Sequence, residues 1–184
     1  MSDGSWRLGL LGHPVAHSLS PPLHLAALEA TGQLGTYALV DCPPEGLAEA
    51  LARLRGGEFD GLNATIPHKE ALAGCVDRLA RSAAALGAVN TLVRAPDGAI
   101  EGHNTDLVGL VSALKERWPE TPWRWSPATV VGAGGAARAV ASTLIDRGAA
   151  GVTLLNRTES RARAAADSLS GPVSVAPLTP RAFT

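Results

Sequence analysis

The stretch ATVVGAGGAARAV at residues 128–140 constrains the fold more than any other part of this sequence. A short apolar run of Thr129, Val130 and Val131 leads into Gly132-Ala133-Gly134-Gly135-Ala136-Ala137, and an alanine-rich apolar run continues to Ile145. The pattern predicts a strand, a tight glycine turn and a helix, with G-x-G-x-x-A at the turn. Each small residue has a physical task. Gly132 permits the sharp turn, Gly134 lets the backbone approach a pyrophosphate, and Ala137 lets helix and strand pack closely. The helix N-terminus then offers N–H groups to the anion. A lone glycine loop is weak evidence for a dinucleotide site; this one follows a strand and opens a helix, which is the context such a site requires. The competing reading is a plain glycine turn.

Residues 151–155 (GVTLL) read as the next strand, after Gly148 closes the helix. An NAD site usually carries Asp or Glu at the end of this strand, where it holds the ribose 2′-hydroxyl. Here Asn156-Arg157-Thr158 stands in that place, with Arg161 and Arg163 close behind. Guanidinium groups bind phosphate bidentately, so the pattern favours NADP over NAD. The bland alternative is that Thr158 caps the following helix and the arginines are solvated.

A chain of 184 residues can bury a real core in one domain or two small ones. Its formal net charge of −1 gives no global basic field for nucleic acid. Cys42 and Cys75 match no metal or redox spacing, and the five histidines are scattered, so no metal site is expected. Reduced thiols, the lack of a signal peptide and the lack of a long apolar run lead to the expectation of a cytoplasmic protein with no membrane segment.

Before the glycine loop the periodicity predicts strands at 6–11, 36–40, 59–63, 89–94 and 99–101. Helices are expected from Ser20, at 44–54, after Lys69, at 82–86 and at 104–117. Ser20 before Pro21 reads as an N-cap with proline as the first helical residue. The proline-rich segment 118–127 marks a boundary. The fold class expected is α/β, with two α/β domains and a cleft between them. Their bounds are 1–103 for the N-terminal domain, 104–126 for a linking helix and boundary segment, and 127–184 for the dinucleotide-binding domain. Polar residues gather at strand ends, where α/β sheets place ligands: Ser18, Ser20, Asn63, Thr65, Lys69, Asn90, Asn104, Thr105 and Asp106. Taken singly, each has a bland reading as a cap, a solvated lysine or a first-turn acid favoured by the helix dipole.

Six stretches, in order along nearly the whole chain, resemble the shikimate dehydrogenase family. They are GHPVAHSLSP at 12–21, NATIPHK at 63–69, GAVNT at 87–91, GHNTD at 102–106, GAGGAARA at 132–139 and NRTESRA at 156–162. The resemblance implies an N-terminal substrate domain and a Rossmann-like NADP-binding domain. It also implies reversible reduction of 3-dehydroshikimate to shikimate with NADPH, on the route to chorismate and the aromatic amino acids. By the same resemblance Ser18 and Ser20 hold the substrate carboxylate, and Thr65, Asn90 and Asp106 hold its ring hydroxyls. Lys69 would be the catalytic lysine, paired with Asp106. Gly132, Ala133, Gly134, Gly135 and Ala136 would cradle the pyrophosphate, and Asn156, Arg157, Thr158 and Arg161 would clamp the 2′-phosphate.

The sequence departs from the family at Ala64, where valine is common, and at Leu107, where glycine is usual. The family also continues beyond the point corresponding to Thr184, with further strands and with helices that return to the first domain carrying a substrate-binding glutamine. The expectation is therefore an incomplete cofactor domain with an exposed sheet edge that invites association, a homodimer included. Two alternatives stand beside the main one: a quinate/shikimate dehydrogenase using NAD, and a ligand-binding but catalytically incomplete fragment.

Overall fold

A computed structural model describes residues 4–84, 86–117 and 126–179. By its internal contacts the chain divides into two compact units, Met1–Asn104 and Thr105–Thr184.

The first unit is built on a six-stranded sheet in the order β2-β1-β3-β5-β6-β4. The strands are β1 (Ser5–Gly12), β2 (Leu34–Asp41), β3 (Gly61–Ala64), β4 (Arg78–Leu79), β5 (Thr91–Arg94) and β6 (Ile100–His103). All run parallel except β5, which pairs antiparallel with both β3 and β6. Adjacent residues of a strand face opposite sides, so Leu10 and Leu11 separate two cores. Leu11 joins the larger core with Val40, Leu62 and Leu92, beneath Leu47, Leu51 and Leu54 of α2 (Leu47–Arg55) and Leu72 of α3 (Lys69–Leu72). Leu10 joins Val15 and Tyr37 in a small cluster on the other face. There α1 (Ser20–Ala30) lies against β2. α1 buries none of its residues, and Leu23 is 66% exposed.

The leucines of α2 fall on one buried face, as their spacing predicts. The expected start at residue 44 is instead a 3₁₀ turn at Pro44–Gly46 that feeds α2. β3 begins two residues later than periodicity suggests. Phe59 enters the core, and the Asp60 carboxylate is drawn to the Arg7 N–H at 2.9 Å and to the Arg7 guanidinium. The segment expected to be helical around 82–86 supplies a single turn, α4 (Arg81–Ala84).

The second unit holds α5 (Asp106–Arg117) and a parallel sheet in the order β7-β8-β9, from β7 (Pro127–Val131), β8 (Gly151–Asn156) and β9 (Val173–Pro177). The connecting helices are α6 (Gly135–Asp146) and α7 (Glu159–Asp167), and α5 packs against α6. Its core joins Val130, Val152 and Leu154 of the sheet to Ala137, Ala141 and Leu144 of α6 and to Ala162 and Ala165 of α7. The expected boundary at 118–127 lies, for residues 118–125, outside the described residues. Among the described residues no helix is long and apolar enough to cross a membrane.

Candidate active site and dinucleotide loop

In the first unit one edge of the sheet collects the polar residues. β1 and β3 are parallel and in register at Leu11 and Ala64, so the loops that leave them emerge side by side. β5 runs the other way, which brings its start to the same edge. The Ala64 N–H donates to the Asn90 carbonyl at 2.8 Å, and the Asn90 N–H donates to the His103 carbonyl at 3.0 Å. The Lys69 carbonyl accepts from the Val89 N–H at 2.7 Å, which ties α3 to the residue before Asn90. Asn90 is buried, and Thr65 and Lys69 are half-buried.

The loop after β1 is held against the loop after β3. The His13 N–H donates to the Ile66 carbonyl at 3.0 Å, and the Thr65 N–H donates to the Leu11 carbonyl at 2.9 Å. His13–Pro14 and Ile66–Pro67 are both cis peptides. Gly12 leaves room for this approach: a Cβ there would lie 2.4 Å from the Thr65 methyl and 2.8 Å from Val15. The two loops bound a cavity of about 490 Å³ lined by His13, His17, Ser18, Ser20, Thr65 and Ile66 among others. Lys69 and Asn90 are not part of its lining; they belong to the same sheet edge.

Ser20 differs from its expected role as an N-cap. Helix α1 already begins at Ser20, Leu19 occupies the cap position, and no side chain caps the helix. Pro21 and Pro22 lack N–H groups, so the first turn has fewer donors to satisfy. The Ser20 hydroxyl instead accepts from the Ser18 hydroxyl at 3.1 Å, and the Ser20 N–H donates to Ser18 Oγ at 3.2 Å. On β2, Tyr37 donates from its hydroxyl to Asn63 Oδ1 at 2.8 Å. Burial pushes the Tyr37 phenol up to about 12. Its ring stacks on His24 of α1, with centroids 4.4 Å apart. Sequence reading overlooked Tyr37 because a lone tyrosine in a half-buried strand looks like packing.

His68 is fully buried, and its Nε2 donates to the Cys42 carbonyl at 2.7 Å. It anchors the turn between β3 and α3, so Lys69 starts from a fixed point. The helix expected after Lys69 is only this single turn. Asp106 opens α5 in the second unit and is half-buried.

In the second unit the glycine loop takes the form its sequence predicts. Gly132 has φ +118°, a conformation side chains disfavour, and its N–H donates to the Leu155 carbonyl at 2.8 Å. Ala137 is buried, and a Cβ on Gly132 would already touch its methyl at 3.5 Å. Gly134 is extended at the N-cap of α6, and a Cβ there would meet nothing within 4 Å. No side chain caps α6, so no side-chain acceptor takes up its first-turn N–H groups. A cradle of bare backbone with helix N–H donors fits a pyrophosphate.

At the end of β8, Asn156 Nδ2 donates to the Thr158 carbonyl at 2.8 Å and shapes the turn. Thr158 occupies the N-cap position of α7, but its hydroxyl makes no cap hydrogen bond. Arg157 and Arg161 are exposed, whereas Arg163 pairs with Glu159 one turn back. The described turn thus offers two arginines to a phosphate, with no carboxylate at position 156.

Comparison with known proteins agrees with this geometry. Residues 10–92 match the family described as the shikimate dehydrogenase substrate binding domain, and residues 120–180 match the shikimate/quinate 5-dehydrogenase family. A shikimate dehydrogenase (NADP(+)) from Paramagnetospirillum magneticum is 44% identical over 182 residues, which is 99% of this chain and 66% of that protein. One from Methanothermobacter thermautotrophicus is 43% identical over 88% of this chain and 56% of its own length. The solved shikimate 5-dehydrogenase of Thermus thermophilus, in complex with NADP(H) and shikimate, is 40% identical with a TM-score of 0.82. That match covers 95% of this chain and 68% of the Thermus chain. The chain thus spans less than two thirds of the length of the curated relatives it matches. With both of its units matched and 40% identity to a solved relative, the chain belongs to the shikimate dehydrogenase family.

Proposed function

We propose that this chain carries the substrate and cofactor machinery of an NADP-dependent shikimate dehydrogenase, interconverting 3-dehydroshikimate and shikimate. The observation that carries the reading is the match, over nearly the whole chain, to a relative solved with NADP(H) and shikimate bound. NADPH, when bound, supplies the hydride. Ser18 and Ser20 donate their hydroxyls to the substrate carboxylate, and Thr65, Asn90 and Asp106 hold the ring hydroxyls. Lys69 donates a proton to the oxygen on which negative charge grows as the carbonyl is reduced, and Asp106 orients it. The bare loop from Gly132 to Ala136 seats the pyrophosphate. Asn156, Arg157, Thr158 and Arg161 hold the 2′-phosphate, which favours NADP over the NAD-linked quinate alternative.

The test is NADP⁺ reduction with shikimate by this chain beside its Lys69→Ala variant, with NAD⁺ run in parallel. Turnover that prefers NADP⁺ and drops by roughly 10²- to 10⁴-fold in kcat in the variant supports the reading. Shikimate binding without turnover favours the catalytically incomplete alternative. Neither turnover nor binding of shikimate or NADP refutes the reading for this chain.

A further inference from the structure

The cavity of about 490 Å³ in the first unit is polar but holds few groups that can carry charge. Ser18, Ser20 and Thr65 bring neutral hydroxyls, and among the described residues no lysine, arginine, aspartate or glutamate lines it. The lining side chains that can become cations are His13 and His17. The two are held differently. His13 follows Gly12, which pairs with Asp41 across β1 and β2, and the Cys42 N–H donates to the Gly12 carbonyl at 2.9 Å. This end of the ladder sets the Asp41 carboxylate beside the imidazole, with Oδ1 2.9 Å from His13 Nδ1. A carboxylate only accepts, so the shared hydrogen sits on Nδ1. Nε2 is left over, and among the described residues nothing hydrogen-bonds to it. The side chain of His17 has no such anchor among the described residues.

We infer that His13, held by Asp41, is a specificity-determining residue that makes this cavity prefer a carboxylate to a neutral group of similar shape. The inference rests on the reading of the cavity as the seat of the substrate carboxylate, and it adds a charge to the hydroxyls of Ser18 and Ser20. With its hydrogen committed to Asp41, a neutral imidazole has only a lone pair at Nε2, which repels a carboxylate. An imidazolium has a second N–H there. A carboxylate entering the cavity therefore selects the imidazolium, which then lies between two anions, Asp41 at the end of β2 and the ligand. Both partners of the new bond are charged, whereas a serine hydroxyl is neutral. An ester has no full charge to offer and gains little from the cation. Asp41 enforces the choice. Without it the ring can place its single hydrogen on either nitrogen and serve a neutral ligand as well as a charged one.

The experiment is calorimetric titration of the full chain, of His13→Asn, of Asp41→Asn and of the double variant, each with shikimate and with its methyl ester. His13→Asn keeps the backbone N–H that donates to the Ile66 carbonyl, so NADP affinity and the urea midpoint should stay near those of the parent. It should weaken shikimate roughly 3- to 10-fold, a modest factor because the ring is 44% exposed and water screens the pair. The methyl ester should bind as before, so the preference for acid over ester falls by the same factor. Asp41→Asn should lower that preference in the same direction, and the double variant should lose no more than His13→Asn alone, since the two side chains act as one unit. Shikimate binding to His13→Asn as to the parent overturns the inference and leaves the carboxylate seat standing. Equal losses for acid and ester also overturn it, in favour of lost packing in the loop. An acid preference left intact by Asp41→Asn overturns the part given to Asp41. A parent chain that binds acid and ester alike, or binds neither, overturns the seat and the inference together.

Discussion

Alanine at position 134 should leave the second unit folded and weaken the proposed seat of the dinucleotide. The backbone there is extended, with φ −85° and ψ −174°, which alanine adopts without strain. The new methyl would meet nothing within 4 Å, so no neighbour has to move. Alanine is a poorer N-cap than glycine, a cost of about 0.5–1 kcal/mol. Lower entropy of the unfolded chain returns about 0.4–1 kcal/mol, so stability should change by less than ~1 kcal/mol. Binding is another matter. In the proposed binding mode the pyrophosphate approaches the backbone at this N-cap, and the added methyl would stand in its way. Loss of one charge-assisted hydrogen bond is worth about 1.5–3 kcal/mol. At about 1.4 kcal/mol per factor of ten, NADP affinity should fall roughly 10- to 150-fold. Gly132→Ala is the contrast: at φ +118° its cost falls on folding, about 1–3 kcal/mol. Urea unfolding and NADP titration on both variants separate the two effects. An unchanged NADP affinity in Gly134→Ala, or a stability loss equal to that of Gly132→Ala, would refute the reasoning.

Two further outcomes test the first unit. Leu54 has no exposed surface and sits where α2 meets the sheet, so Leu54→Ala should cost about 2–5 kcal/mol, read from the urea midpoint; a loss below about 1 kcal/mol would mean that the larger core relaxes around the hole. Tyr37 is the only tyrosine in the chain, so tyrosinate absorbance reports it alone. Burial holds the folded phenol near 12 while the unfolded one titrates near 10, so its contribution to stability is complete below pH 10 and is lost as pH rises towards 12. A midpoint near 10 in the folded chain would contradict the burial.

The form of the glycine loop was legible in sequence because its constraints are local. A positive φ at Gly132 and a clear approach at Gly134 depend on residues a few positions apart, and glycine is what such positions require. The strand-end residues Ser18, Thr65, Lys69 and Asn90 were legible for a related reason, since an α/β sheet gathers its loops at one edge. What escaped was tertiary. The cap expected of Ser20 gave way to a hydrogen bond with the hydroxyl of Ser18. The two-residue β4 has no signal of its own; the Asp77 carboxylate beside it binds the Ile100 N–H at 2.8 Å and the Arg55 guanidinium. The exposed apolar side chains of α1 look in sequence like any core-facing helix.

The tight fit at Gly12 has a consequence for how this protein can drift or be evolved. Its missing side chain is the space that the Thr65 methyl and Val15 already fill. Positions 12 and 65 therefore cannot vary independently. In a library randomised at 12, 15 and 65, any survivor with a side chain at 12 should carry a residue without a γ-methyl at 65 and a smaller one at 15. Such a change reaches the lining of the cavity proposed to seat the substrate, from a strand position outside that lining.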